Sequence, residues 1–539
     1  LSRHGFLRYT EFCFSCPAVT VQGRYGLNLK QDFRLLSIIQ LLIGILMGIP
    51  TYLAWRYGET EAFHAFVIAL WAIGIFTIVI LILTRHPESN YMGTNDGLFF
   101  VTFTWVLGTA FAALPLSLSH SYPSYTDAYF EVMSGFTTTG ATVLSTIEDK
   151  PLSILFWRSM TNWLGGMGIV VLFVAFLPML GVSGTILVNS ESVGPTKDKL
   201  TPKIGQTAMI LWGLYVGLSA LMVVILFFDG LSLYDAVTVT FSTLSAAGFC
   251  VKNASIGAFG KPSVDIIVTI FMMIAGANFA LYYKIVCGKA KQVLKDGELQ
   301  WYLGIFAVDS VLSALFLTHA RVYGNFFTSL RYSTFQAASI MTTTGFATAD
   351  YQMWPAASQM LLFLLFFVGG CAGSTGGGIK VIRVRALFTL AKNTITTRLH
   401  PNAVITNRVG DSVFTDKIMM EIAGFVGMYL ATGILGALAL TISGADLLTA
   451  LSGSFLCLGN IGIGFGKVGP TGNFGFFPAW TKWVLSFLML AGRLELFTVF
   501  SLFSSEFWRN RSSWITGTER DERKKAKTHR NHGKTVKKV

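Results

Sequence analysis

The chain has 539 residues, of which 53% are hydrophobic and 13% charged, with a mean hydropathy of +0.58. Soluble domains carry about 25% charged residues, so this composition excludes a disordered protein, a coiled coil and an ordinary cytosolic enzyme. The net charge of +13 gathers in two stretches that flank apolar runs, the pattern of cytoplasmic membrane loops rather than of a nucleic-acid surface.

A spanning helix needs about 20 mostly apolar residues. In chain order the candidates are Leu35–Ala54, Phe63–Leu83, Leu98–Leu118, Ile154–Leu180, Ala208–Phe228, Val264–Val286 and Trp301–Leu317. Then come Ala356–Val368 with a broken continuation, Ile418–Ile442 and Trp480–Phe503, which makes ten spans. An even number puts both termini on one side. Eleven Lys or Arg between Arg509 and Lys538, against Glu519, Asp521 and Glu522, place that side in the cytoplasm. Lys380–Arg408 adds six basic residues and no acids. The first apolar run starts behind a mixed segment with no signal-peptide cleavage pattern, so residues 1–34 read as a cytoplasmic N-terminal segment.

Between spans lie short segments that are neither good spans nor polar loops. Asp127–Gly140, Asp235–Gly248 and Tyr332–Gly345 each have helical character followed by a small-residue stretch ending in Gly, and Thr449–Gly462 is a weaker fourth copy. The terminal glycines are 108, 97 and 117 residues apart (248 − 140, 345 − 248, 462 − 345). Twelve residues before each Gly stands a small residue: Ala128, Ala236, Ser333 and Ala450. The chain therefore reads as four repeats of span, short helix, Gly-ending loop and span. The expected fold is an all-α polytopic membrane protein, with these four repeats around one pore plus an N-terminal helical hairpin. The expected divisions are an N-terminal segment 1–34, the hairpin 35–97, repeats at 98–206, 207–298, 299–415 and 416–508, and a basic tail 509–539.

Irregular backbone at membrane depth persists only where it is buried in protein or lines a cavity. Loops of this kind around one axis turn carbonyls inward and replace the water shell of a monovalent cation. Glycine meets the backbone angles this requires. The short helices then aim their partly negative C-termini at the axis. The bland alternative is tight packing of small-residue loops without conduction, which four copies in register disfavour.

The blocks Phe130–Thr142, Asn162–Val171, Met341–Asp350, Gly369–Arg383 and Ala491–Phe500 together resemble the Trk/Ktr/HKT superfamily of potassium-uptake proteins, and within it the TrkH/TrkG type. The resemblance covers roughly residues 35–508, and the hairpin before the repeats is similar to the TrkH type. It implies a potassium filter at Thr138, Thr139, Gly140, Ala247, Gly248, Thr343, Thr344, Gly345, Ile461 and Gly462. It implies an intramembrane gate at Gly369, Gly370, Gly373, Ser374, Thr375, Gly376, Gly377, Gly378 and Lys380, with Arg493 facing the pore below the filter. The residues agree independently, because so glycine-rich a stretch does not hold a regular helix. All four filter positions are Gly, which points to potassium over sodium. Ser245–Cys250 and Gly459–Gly464 depart from the family after the filter glycine, at Cys250 and Ile463.

The resemblance further implies a homodimer, a cytoplasmic nucleotide-binding regulatory subunit of the TrkA type, and a bacterial inner membrane. Potassium is the transported ion; no bound cofactor, nucleic acid or enzymatic activity is expected. Two readings stand for several residues. Arg493 is either a pore charge or a structural partner of Glu495 or of loop carbonyls; an arginine within a span is expensive and marks a site by default. Glu131 either anchors the filter or adds to its field. Asp127 and Asp235 either cap their helices or recruit ions. Lys380, Arg383 and Arg385 either snorkel or form a docking surface. The eight His show no ligand spacing, and Cys13 with Cys16 is a lone C-x-x-C. The competing function is a K+/H+ or K+/Na+ symporter, although same-sense repeats with re-entrant loops favour a pore.

Overall fold

A computed structural model describes residues 27–85, 93–168, 204–403, 405–410 and 412–508. The chain divides into a unit of Asn28–Phe507 and a second of Leu1–Leu27 with Trp508–Val539. Every element below belongs to the first. The C-x-x-C, residues 169–180 of the fourth span and the basic tail lie outside the described residues.

The helices are α1 (Leu29–Tyr57), α2 (Thr60–Leu83), α3 (Thr94–Ala112), α4 (Leu114–Leu118), α5 (Tyr125–Phe136), α6 (Leu152–Gly166), α7 (Ile204–Phe228), α8 (Leu233–Leu244), α9 (Pro262–Ala275) and α10 (Phe279–Val286). They continue with α11 (Ala290–Val293), α12 (Gly297–His319), α13 (Phe326–Met341), α14 (Ala356–Leu365), α15 (Val381–Leu399), α16 (Asp416–Ile442), α17 (Leu447–Gly459), α18 (Ala479–Arg493) and α19 (Leu496–Ser501). A two-stranded antiparallel ribbon, β1 (Asn407–Val409) with β2 (Ser412–Phe414), is a small addition to the all-helical expectation.

Among the described residues, six helices are long and apolar enough to cross a membrane: Leu29–Tyr57, Thr60–Leu83, Asn95–Leu118, Gly205–Phe228, Gly297–His319 and Asp416–Ile442. Their outward faces are apolar, with Trp71 69% and Met420 75% exposed, as contact with lipid requires.

Two expected spans are corrected. Val264–Val286 is not one helix: α9 and α10 meet at 95°, and Asn278 caps α10 by accepting from Ala280 N. Trp480–Phe503 breaks after α18, where Glu495 takes φ 59° before α19 begins. Hydropathy reports apolar content only, so it reads straight through such breaks.

The hairpin α1–α2 is tied to the next element by a carboxylate. Glu59 accepts from Leu152 N at 2.7 Å and Ser153 N at 3.1 Å, satisfying free amides at the start of α6. Short helices pack across the expected repeat boundaries: α8 on α6, α13 on α9, and α5 on α18. Phe367 meets Phe455 at 5.1 Å, bringing the chain beyond α14 onto α17. The expected small positions Ala128, Ala236, Ser333 and Ala450 are all fully buried.

Candidate functional site

The four short helices start alike. Their N-caps are Ser124, Ser232, Asn325 and Asp446, each accepting from the amide three residues on. This corrects the capping role expected of Asp127 and Asp235. Both sit in the first turn, where each carboxylate accepts from its capping serine's hydroxyl at 2.7 Å. Asp127 is also paired with Lys482 of α18 at 2.5 Å, in a nearly buried contact.

The helices also end alike. Thr138, Ala246, Thr343 and Asn460 all take φ between 55° and 61°. Their amides donate to Gly135, Thr243, Ile340 and Cys457, and the next amides, at Thr139, Ala247, Thr344 and Ile461, donate to Ser134, Ser242, Ser339 and Leu456. One turn is thus built four times, two residues before each terminal glycine. Left-handed backbone costs a side-chain residue about 1–3 kcal/mol, which this repeated bonding offsets.

The glycines then meet in a ring. A Cβ at Gly140 would fall on Gly248, 2.7 Å from its Cα; one at Gly248 would lie 2.7 Å from the carbonyl oxygens of Thr344 and Gly345. At Gly345 it would strike Ile461 O, and at Gly462 it would strike Thr139 O, which closes the circle in chain order. Gly140, Gly345 and Gly462 also have φ between 80° and 91°. Close approach therefore requires glycine at all four positions. All four line one cavity of about 130 Å³, together with Thr142, Cys250, Ala347 and Ile463.

Two buried charges beside this ring are held by backbone. Glu131 accepts from Arg158 Nε at 2.6 Å, from Thr142 Oγ1 at 2.8 Å and from Val143 N at 2.9 Å. Arg158 donates on to Cys250 O at 2.8 Å and lies 3.7 Å over the Phe249 ring. The anchoring reading of Glu131 is the one this geometry favours: it ties the segment after Gly140 to the segment after Gly248.

Against the other side of the loops lies the Gly-rich segment. After α14 the chain is non-helical until α15 begins at Val381. Cys371 N donates to Gly276 O at 2.8 Å, Thr375 Oγ1 to Ala275 O at 3.1 Å, and Gly377 N to Thr343 Oγ1 at 2.7 Å. The segment thus fills the α9–α10 break and touches the third Gly-ending loop. A Cβ at Gly376 would lie 2.8 Å from Thr342 O, and one at Gly377 would lie 2.6 Å from Gly459 O.

Arg493 joins these parts. Its Nη1 donates to Thr138 Oγ1 at 3.1 Å and Thr375 O at 2.8 Å; its Nη2 donates to Gly165 O at 2.5 Å and Gly166 O at 2.8 Å. It is the last residue of α18, at a helix break, so carbonyls surround it. Glu495 pairs with Arg383 at 2.6 Å, and Arg383 lies 3.9 Å over Phe425. Lys380 is buried and donates to Gly376 O at 2.6 Å. Neither Lys380 nor Arg383 is therefore a snorkelling or docking side chain.

The family model for TrkH, a cation transport protein, matches residues 62–511. The chain belongs to the TrkH family. It is 37% identical over 482 residues to the Trk system potassium uptake protein TrkH of Salmonella typhimurium, covering 88% of this chain and 98% of that one. It is 36% identical over 430 residues to TrkG of Escherichia coli K12, covering 79% and 88%. The crystal structure of the potassium transporter TrkH from Vibrio parahaemolyticus superposes with a TM-score of 0.80 at 32% identity, over 90% of this chain and 100% of that one. A TrkH family member is a membrane transport protein and not an enzyme.

In this TrkH family chain, sequence reasoning missed Arg158, Glu298, Asn460 and Lys482. Each acts on a partner far away in the chain, and composition around Glu298 and Asn460 carries no signal of it. For Arg158 and Lys482 the one cue is a charged residue inside an apolar run. Among the described residues, no cluster of three or more His, Cys, Asp or Glu is placed to hold a metal ion.

Proposed function

We propose that this chain is the potassium-translocating subunit of a Trk-type uptake system, and that the glycine ring is its selectivity filter. The single observation that carries the reading is the closed contact of Gly140, Gly248, Gly345 and Gly462 around one cavity. Thr138, Thr139, Ala247, Thr343, Thr344 and Ile461 supply the adjoining backbone. Carbonyls held in such a ring replace the hydration shell of potassium or rubidium.

Gly369, Gly370, Gly373, Ser374, Thr375, Gly376, Gly377, Gly378 and Lys380 form the gate, and Arg493 is a barrier charge bound to it. The hydrogen bond from Arg493 to Thr375 O supports this pairing of loop and charge. The divisions 98–206, 207–298, 299–415 and 416–508 are the four repeats that supply one loop each. Two copies of the chain pair in a bacterial inner membrane with both termini in the cytoplasm, where a nucleotide-binding subunit of the TrkA type binds and controls the gate.

The test is flux into liposomes containing the purified protein, with rubidium, sodium and lithium compared. Preferential rubidium flux down its own gradient supports the pore. Flux that needs a sodium or proton gradient supports the symporter instead. Equal rubidium and sodium flux sinks the filter assignment.

A further inference from the structure

One carboxylate holds both ends of the Gly-rich segment. Glu298 lies in the first turn of α12, where the capping Asp296 Oδ1 accepts from Glu298 N at 3.1 Å and Leu299 N at 2.9 Å. The Glu298 Oε1 accepts from Ala372 N at 2.8 Å and from Ile382 N at 3.2 Å. Those amides stand on either side of Gly373–Lys380. Between them the chain ends already touch, since Gly369 N donates to Ile379 O at 2.5 Å and Val381 N to Gly370 O at 3.1 Å. The segment's hydrogen bonds to Gly276, Ala275 and Thr343 each fix one point along it, whereas the single Glu298 Oε1 fixes both ends at once.

We propose that Glu298 is the clasp of the gate loop, a positioning residue that keeps the loop closed by holding positions 372 and 382 together. The inference rests on reading that loop as the gate. It also gives the gate a lever. The chain just before α12 carries the exposed Lys289, Lys291 and Lys295, and leads directly into Asp296 and Glu298. A displacement of that basic segment moves the Glu298 carboxylate and so releases both ends of the loop.

The test uses the full chain in liposomes with Glu298→Ala, Glu298→Gln and Glu298→Asp. Gln keeps an acceptor oxygen at the same reach; Ala removes it; Asp is one methylene short of both amides. Two readouts are taken: amide hydrogen exchange across residues 369–382, with α13 as the internal reference, and rubidium flux. Glu298→Ala is expected to raise exchange and to raise flux about tenfold, the equivalent of one lost buried hydrogen bond. Glu298→Gln should stay near the unmodified chain, and Glu298→Asp should fall between. If Glu298→Ala does not fold, the Asp and Gln variants carry the same comparison.

Unchanged exchange in the Ala or Asp variant overturns the clasp. So does a Gln variant as disturbed as Ala, since the effect would then follow the charge. Raised exchange with unchanged flux upholds the clasp and overturns the reading of the loop as a barrier.

Discussion

Asn460 Nδ2 donates to Thr139 Oγ1 at 2.9 Å, joining the fourth Gly-ending loop to the first across 321 residues of chain. The same amide group donates to Met489 O at 3.0 Å, and Asn460 itself holds φ 55°. One side chain thus supports the turn, the neighbouring loop and the helix behind them. Asn tolerates the left-handed region better than most residues with side chains.

Asn460→Gly keeps the backbone and removes both hydrogen bonds; Asn460→Ala removes them and adds backbone strain. Both are expected to lower thermal stability in detergent and to reduce the rubidium-to-sodium flux ratio. Ala should be the worse by about 1–2 kcal/mol. Equal unfolding temperatures for the two variants would contradict the strain argument.

Serine at Gly140 or Gly345 should weaken ion discrimination, because its Cβ meets the next loop's backbone and the ring must open to admit it. Flux ratios for rubidium, sodium and lithium measure this directly. A serine variant that keeps the parent's ratio would show that the ring does not set selectivity.

The Glu131–Arg158 pair is buried on both sides, at 2.6 Å. Arg158→Met leaves a carboxylate with no counter-charge from that residue and should cost about 3–5 kcal/mol. Replacing both, as Glu131→Leu with Arg158→Met, should cost less than Arg158→Met alone. Thermal unfolding of the two variants settles the order.

Much of this arrangement is written locally. The register of Ala128, Ala236, Ser333 and Ala450 marks the helices, and glycine marks the loops, because close packing and positive φ leave few alternatives. The glycines of Gly369–Gly378 likewise announce non-helical backbone. What is not legible depends on partners remote in sequence. Lys482 and Asp127 are 355 residues apart, and nothing near either names the other. The breaks at Gly276–Asn278 and Leu494–Glu495 are hidden in the same way. The groups that meet them come from distant parts of the chain: Cys371 N donates to Gly276 O, and Arg383 to Glu495.

Arg493→Ala removes a fixed positive charge and its hydrogen bonds to Thr138, Thr375, Gly165 and Gly166. Cation flux should rise while the rubidium-to-sodium ratio holds, since the proposed function assigns selectivity to the glycine ring. Arg493→Lys keeps the charge but not the planar fork of donors, and should give an intermediate flux. Flux that falls or stays level in a folded Ala variant would remove the barrier role.

The central claim is that the ring binds the transported ion, and the most direct measurement is to see that ion there. Thallium, a potassium mimic, is soaked into crystals of this protein and located by its anomalous scattering. The account predicts a peak on the axis shared by Gly140, Gly248, Gly345 and Gly462, within coordination distance of loop carbonyls, that weakens when potassium competes and persists against sodium. An axis with no peak, or a peak that sodium displaces as readily as potassium, would contradict it.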